Sequence, residues 1–356
     1  MDHDLTDSLY LNHVQGFPKE LLNARSPDLW RHLPGPTLFH IRGRQASPLF
    51  VSVLLHGNES TGWTAIQSIL SRYQADLPRN LLLFVGNIEA AKHNLRTAGN
   101  QNDYNRSWPG TLDGATPEAR LMREVVDCVR LLQPVASIDI HNNTGHNPHY
   151  ACVNRLNENH LQLARLFSRT VVFFERPLGV QSAALSKICP SVTVECGLAG
   201  GPEGVTHAAD FIQAALAIDH LPDRPVPDGD LDLMQTQAIV KIPPGATVSF
   251  NGESADFQFR SDLDHLNFSE LEPGTLFGRL RSHTRHRLII EPGGPHAAPS
   301  DYFKYDGGEI RVCQHAIPAM LTCDSHAIRL DCLGYLMHRI ARDGSRLVEA
   351  DAVAAG

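Results

Sequence analysis

The sequence has no long apolar run. None of the hydrophobic stretches in its 356 residues approaches the roughly 18 to 20 residues that cross a bilayer as a helix. The first residues, MDHDLTDSLYLNHV, are acidic and contain no basic segment followed by an apolar one, so they do not indicate a secretion signal. We therefore expect a cytoplasmic protein without a membrane role.

Paired cysteines and an excess of positive charge are also missing. The seven cysteines include no Cys-x-x-Cys pair, and their odd number argues against a complete disulfide framework. The net charge of −8 disfavours a nucleic-acid surface. The composition thus predicts reduced thiols and no nucleic-acid partner, and it leaves the oligomeric state open.

The first two thirds of the chain alternate apolar and amphipathic segments. Apolar runs predict strands at 48–57, 80–90, 134–142, 170–175 and 191–197. Helical spacing of the apolar residues predicts helices at 60–77, near 117–132, near 157–169 and at 206–220. This alternation predicts an α/β fold with a mostly parallel mixed sheet flanked by helices.

The composition and the apolar pattern of the sequence change after this region. The segment LPDRPVPDGDLD (221–232) is dense in Pro, Asp and Gly, which is typical of a domain linker. Short alternating segments separated by turn signals then predict a smaller all-β C-terminal domain, and LDCLGYLMHRIARDG is compatible with a helix or a last strand. The predicted boundaries are 1–225 for the catalytic domain, 230–335 for the β domain and 336–356 for a C-terminal tail.

Metal-competent side chains stand at the ends of three apolar strands. His56 ends the first strand, with Glu59 three residues on; His141 and Glu195 close two others. Functional groups gather at the carboxyl ends of strands in open α/β sheets. Two His and one Glu leave one coordination position open, which is typical of a catalytic zinc. Asp139, two residues before His141, is either an acceptor for that imidazole or a satisfied core carboxylate.

The remaining candidates carry charge or bind anions. Glu195 beside a metal can move protons, although a structural carboxylate at a strand edge is the alternative. In NDYNRSWPG (102–110), Arg106 can form a bidentate pair with a carboxylate and Asn105 can donate beside it. A solvated loop arginine is the alternative for Arg106, and also for Arg96.

Five motifs occur in the order expected for one enzyme family. Together they resemble the succinylglutamate desuccinylase and aspartoacylase family, within the wider group of zinc carboxypeptidase-like hydrolases. The resemblance spans most of residues 48 to 290 and is carried by HGNE (56–59), NDYNRSWPG (102–110), DIHNNTG (139–145), TVECG (193–197) and LNFSELEPGTLFG (266–278).

The resemblance implies a metal centre and a reaction. One zinc ion per chain would be held by His56, Glu59 and His141, although nickel, cobalt or iron suit the same ligands. Zinc-bound water would attack an amide carbonyl, with Glu195 as general base and proton shuttle. The chain would then be a zinc-dependent amidohydrolase acting on carbon–nitrogen bonds other than peptide bonds.

The resemblance also implies a substrate class. Asn105 and Arg106 would grip the carboxylate of a small N-acyl amino acid, and Arg96 would polarise the scissile carbonyl. The family takes a substrate-contacting tyrosine from its second domain, for which Tyr302 and Tyr305 are candidates. A metallocarboxypeptidase acting on short or modified peptides and a non-catalytic zinc-dependent carboxylate-binding protein are the alternative functions.

Overall fold

The computed structural model divides the chain into two compact units. The first unit holds the described residues up to Asn142, His149–Val171 and Pro177–Asp230, and the second holds Asn143–Pro148, Val172–Arg176 and the described residues from Leu231 onward. Only the backbone is described for 342–343 and 346–349. The described residues are 9–74, 76–222, 224–227, 229–282, 284–293, 299–343 and 346–349.

Up to Asp230 the chain alternates strands and helices. The strands are β1 (Asn12–Gln15), β2 (Thr37–Ile41), β3 (Gly43–Val53), β4 (Leu77–Val85), β5 (Ala136–Asn143), β6 (Tyr150–Val153), β7 (Thr170–Phe173) and β8 (Ser191–Leu198). The helices are α1 (Thr61–Tyr73), α2 (Ile88–Lys92), α3 (Pro117–Leu132), α4 (Glu158–Phe167), α5 (Gln181–Leu185) and α6 (Pro202–Ala217), and 3-10 turns cover Lys19–Asn23, Ser26–Arg31 and Tyr104–Arg106.

These strands form a mixed sheet in the order β1-β2-β4-β3-β5-β8-β6-β7. The central strand β3 pairs in parallel with both β4 and β5, whereas β2 runs antiparallel to β4 and β6 antiparallel to β8. The final five residues of both β3 and β4 are buried, as expected for strands covered on both faces. The predicted α/β architecture with a mixed sheet is confirmed.

Helix α3 shows how local sequence sets an element. The Thr116 hydroxyl accepts a hydrogen bond from the Ala119 backbone N–H at 3.2 Å, and Pro117 occupies the first helical position, so the helix begins where the sequence predicts. Its apolar face, which includes Met122 and Val125, packs in one core with Phe50 of β3. The helix thereby covers one face of the sheet.

The predicted end of the strand before the metal-competent His56 differs from the structure. The strand before His56 ends at Val53, because Leu54 has a φ of 56° and leaves the extended conformation. His141 and Glu195 lie within β5 and β8, in agreement with the predicted strands 134–142 and 191–197, and the pairing of β8 with β6 continues as far as Glu195. Both residues therefore lie near the C-terminal ends of their strands.

After Asp230 the chain is rich in strands. The strands are β9 (Asp232–Lys241), β10 (Val248–Ser249), β11 (Phe257–Gln258), β12 (Leu276–Leu280), β13 (Ile289–Pro292), β14 (Phe303–Asp306), β15 (Glu309–Val312), β16 (Ile317–Ala319), β17 (Gly334–Asp343) and β18 (Arg346–Glu349). One set has the order β9-β17-β16, with β13 on β9 and β18 on β17; the other has the order β10-β11-β12-β15-β14.

Helical turns interrupt this second set of strands. They are α7 (Ser325–Leu330) and 3-10 turns at Leu263–Leu266 and Pro299–Asp301. The sequence prediction of an all-β domain missed α7, which Asp324 caps by accepting from the backbone N–H groups of His326 and Ala327. Most of the segment that was compatible with a helix or a strand forms β17, and residues 344, 345 and 350–356 of the predicted tail lie outside the described residues.

Two general features bear on the composition. The seven cysteines are free thiols. Within the described ranges, every helix is too short or too polar to cross a membrane.

Candidate metal centre

A tight turn carries the chain from β3 to His56. Leu54 adopts a left-handed conformation that non-glycine residues rarely take, at a cost of about 1 to 3 kcal/mol. A Cβ on Gly57 would lie 2.1 Å from the backbone nitrogen of Ala91, so only glycine fits there. Helix α1 begins at Thr61, which places Glu59 at the helix N-terminus. The HGNE segment therefore folds back on itself and brings its imidazole and its carboxylate together.

Three ligand atoms converge at this turn. Nδ1 of His56 lies 2.7 Å from Oε1 of Glu59, and Nδ1 of His141 lies 2.7 Å from Oε2 of the same carboxylate. One ligand atom from each of the three residues lies within 4.8 Å of the others, and all three residues are buried. The structure thus brings together His56, Glu59 and His141, which the sequence proposed as metal ligands.

Each imidazole is held from its other side by a carboxylate. Nε2 of His56 lies 3.0 Å from Oδ1 of Asp103, and Nε2 of His141 lies 2.8 Å from Oδ2 of Asp139. A carboxylate at Nε2 keeps the proton there, which leaves the Nδ1 lone pair for an ion. The Ser52 hydroxyl donates to the second oxygen of Asp139 at 2.7 Å and fixes that carboxylate.

Asp103 is the functional residue that sequence reasoning missed. Besides contacting His56, it accepts from the Arg96 guanidinium at 2.7 and 3.0 Å and from the Asn105 backbone N–H at 2.7 Å. The available signal was its place two residues before Asn105, where an Asp reads as the cap of a polar turn. It does cap the 3-10 turn Tyr104–Arg106, and the same carboxylate also reaches the metal centre.

The electrostatics of the centre favour a cation between the imidazoles. Burial opposes the ionisation of Glu59, but the two imidazoles outweigh it and hold the pKa of Glu59 far below its usual value. Burial likewise opposes protonation of His141, yet Asp139 and Glu59 raise its pKa well above the ordinary value. The carboxylates of Glu59, Asp103 and Asp139 therefore require positive charge here, which extra imidazole protons or one divalent cation can supply.

Glu195 lies in the same electrostatic environment. It is buried, and burial raises its pKa to about 7, against the opposing effect of the imidazoles of His141 and His56. A carboxyl with such a pKa exchanges its proton near neutrality, which suits a general base.

The structure also places the predicted anion-binding residues beside the centre. The Asn105 amide nitrogen lies 3.1 Å from Nε2 of His141, and its oxygen accepts from the backbone N–H of Gln181 at 3.1 Å. Arg106 is partly buried and donates from Nη1 to the Asn105 carbonyl at 2.9 Å. A Cβ on Gly179 would lie 2.2 Å from the Arg106 carbonyl oxygen, so the two backbones are in contact. Arg96 faces Asp103. Burial and Arg96 oppose protonation of His56, but Glu59 and Asp103 outweigh them and raise its pKa above the ordinary value.

The two candidate tyrosines have contacts within the second unit. The Tyr302 hydroxyl donates to the Gln237 carbonyl at 3.0 Å, and the Tyr305 hydroxyl accepts from the Leu288 backbone N–H at 3.0 Å. Arg287 lies over the Tyr305 ring at 4.7 Å. These contacts give both side chains a packing role, and a substrate contact for either one stays a prediction.

Comparison with known proteins gives one family and one fold. The family model described as the succinylglutamate desuccinylase/aspartoacylase catalytic domain matches residues 46–223, half of the chain. That range contains every residue of the metal centre and Glu195. A comparison with curated protein sequences gives no match.

Solved structures resemble the chain over most of its length. A succinylglutamate desuccinylase/aspartoacylase from Rhodobacter sphaeroides has a TM-score of 0.55 at 16% identity, covering 85% of this chain and 88% of its own. The desuccinylase from Chromobacterium violaceum gives 0.54 at 18%, over 85% and 87%. The one from Vibrio cholerae gives 0.57 at 14%, over 93% and 100%. At these identities the likeness shows a shared fold.

Proposed function

Because the chain belongs to the succinylglutamate desuccinylase/aspartoacylase family, whose members are amide hydrolases of the deacylase type, we propose that it hydrolyses a small N-acyl amino acid with one zinc ion. The observation that supports this proposal best is the convergence of two Nδ1 atoms and the Glu59 carboxylate in a buried cluster that also influences Glu195. The products would be a carboxylate and a free amino acid.

The residues present fit a zinc ion. Two imidazole nitrogens and a carboxylate are the donor set of many catalytic zinc sites, and Asp103 and Asp139 hold the two rings with Nδ1 towards the shared carboxylate. When bound, zinc would lower the pKa of a coordinated water to about 7 and polarise the substrate carbonyl.

Glu195 would transfer the proton, and the two arginines would bind the substrate and stabilise the developing charge. Glu195 would accept the proton of the attacking water and deliver it to the departing amine nitrogen. Arg106, with Asn105, would bind the carboxylate of the amino-acid portion, which fixes the position of the scissile bond. Arg96, oriented by Asp103, would place positive charge near the oxygen on which negative charge develops.

The organisation of the chain is part of the proposal. Residues 1–225 would form the hydrolase domain, 230–335 the β domain and 336–356 a tail. A cytoplasmic location stays a prediction from the sequence.

The pH dependence of turnover follows from Glu195. The carboxyl must be ionised to accept a proton, and burial raises its pKa to about 7. A zinc ion beside the carboxyl would lower this pKa, so we expect kcat/KM to fall about tenfold for each pH unit below an apparent pKa no higher than about 7 and to level off above it. A pH–rate profile measured with an N-acyl amino acid checks this. A flat profile across the acid range would show that Glu195 is not the group that accepts the proton.

Metal content and substrate class can be measured together. The purified chain should contain about one zinc at the centre and release amine from some members of a panel of N-acyl amino acids, and a chelator should abolish the release. Each active compound is also supplied as its carboxamide, which removes the negative charge that Arg106 would bind. Turnover of dipeptides in preference to acyl amino acids would identify a metallocarboxypeptidase, and metal binding without any amine release would identify a binding protein.

A further inference from the structure

A second group of metal-competent side chains lies in the second unit. Nδ1 of His146 is 2.9 Å from Oδ2 of Asp264, and the rings of His146 and His265 stack with centroids 4.3 Å apart and planes 25° apart. One ligand atom from each of the three residues lies within 4.8 Å of the others. Two imidazoles and one carboxylate therefore meet a second time in this chain.

The backbone that carries His146 is tightly placed. Its N–H donates to Asp264 Oδ2 at 3.2 Å, and its carbonyl accepts from the Asn267 amide at 2.9 Å. A Cβ on Gly145 would lie 2.0 Å from the Leu321 carbonyl oxygen and 3.0 Å from Cβ of Asp264. The segment that carries His146 thus packs closely against the turn that carries Asp264 and His265. The backbone positions of the three residues are therefore well defined.

The orientation of Asp264 is also defined. Its Oδ1 lies 3.7 Å from the Cys323 thiol, while Oδ2 faces His146. Both histidines are exposed, whereas Asp264 is half-buried, so the cluster is open to ions from solvent on one side. Imidazole and carboxylate donors of this kind bind zinc, and they also bind nickel and copper.

We propose that His146, Asp264 and His265 form a second divalent-cation site, which takes zinc or a similar late transition metal. Its exposed imidazoles make it weaker than the buried centre of His56, Glu59 and His141, because water competes for the ion and for the ligands. A bound ion would tie Asn143–Pro148, the segment that begins at the last residue of β5, to the 3-10 turn Leu263–Leu266. The site stands independently of the proposed hydrolase activity.

The test is a titration of the chelator-treated full chain with Zn²⁺. Equilibrium dialysis at rising free Zn²⁺ should give about two zinc ions per chain, in a tight and a weaker phase, and the weaker phase should raise the unfolding temperature. His265→Ala and His146→Ala should each remove only the weaker phase and leave hydrolysis unchanged. His326→Ala is the matched control, since His326 is an exposed histidine of the same unit, and it should keep both phases.

Two results would overturn this inference. One is a wild-type chain that shows no weaker phase, and the other is a weaker phase that persists in both His265→Ala and His146→Ala. Because the comparison concerns the weaker phase, a failure of the buried centre gives a different pattern: the tight phase is missing while the difference between wild type and His265→Ala remains. Circular dichroism of the variants checks that each is folded.

Discussion

Glu195→Gln is expected to lower kcat by about 10²- to 10⁴-fold, the range in which general acid–base catalysis contributes, while the chain still binds its zinc. The amide has nearly the shape of the carboxyl group but cannot accept the proton of the attacking water. The measurement is turnover of an N-acyl amino acid, with the zinc content determined on the same sample. Full activity in the variant would exclude Glu195 as the proton carrier.

A stability measurement separates this effect from misfolding. Burial raises the folded-state pKa of Glu195 from 4.5 to about 7, so the stability it contributes is complete below pH 4.5 and is lost as the pH rises through 7. Above that range a buried ionised carboxylate costs the metal-free chain about 3 kcal/mol. The free energy of unfolding of metal-free Glu195→Gln, relative to that of metal-free wild type, should therefore increase as the pH is raised from acid to alkaline. Denaturant unfolding at several pH values measures this difference. An unchanged difference would show that Glu195 is not held in its protonated form by burial.

Glu59→Gln is expected to abolish tight zinc binding and reduce hydrolysis to the uncatalysed rate. Its carboxylate faces Nδ1 of both His56 and His141, so the amide leaves the centre with two ligands and without their shared negative charge. Zinc content after dialysis and turnover at saturating substrate check this together. An active variant with its zinc retained would mean that the ion binds elsewhere.

A graded comparison strengthens the result for Glu59. Asp139→Asn keeps all three ligands but removes the charge behind His141, so its zinc affinity should fall by only about 10- to 100-fold. Glu89→Gln changes a half-exposed carboxylate on α2 and should leave affinity and turnover unchanged. Zinc affinity should therefore fall in the order wild type, Asp139→Asn, Glu59→Gln. The arrangement of ligands and supporting carboxylates in this structure requires that order.

Sequence patterns predicted the elements that depend on local residues. The start of α3 follows from Thr116 and Pro117, which act within one turn, and the apolar content of β3 and β4 predicted central strands. The positions of His56 and His141 at strand ends indicated a common site because neighbouring strands deliver their ends to one edge of a sheet. Strand order was not predictable, since β2 and β6 pair with strands that no local signal identifies.

The missed parts of the centre depend on distant contacts. Asp103 lies 47 residues from His56 along the chain, and its local role as a turn cap concealed its contact with the imidazole. Leu54 gives no sign in the sequence that it takes a left-handed conformation, because the strain is imposed by the packing of the turn that follows it. The metal ligands could be inferred from residue types in the sequence, whereas the groups that orient those ligands could be identified only from the folded structure.

The membership of Asn143–Pro148 in the second unit has a consequence for synthesis of the chain. Asn147 accepts from the backbone N–H of Met320, which leaves the ribosome 173 residues later. At about 5 to 20 residues per second, this segment waits roughly ten to thirty seconds for its partner. This contact can therefore form only after Met320 has been synthesised, and a nascent chain halted at the 221–232 linker would expose a segment whose binding surface does not yet exist.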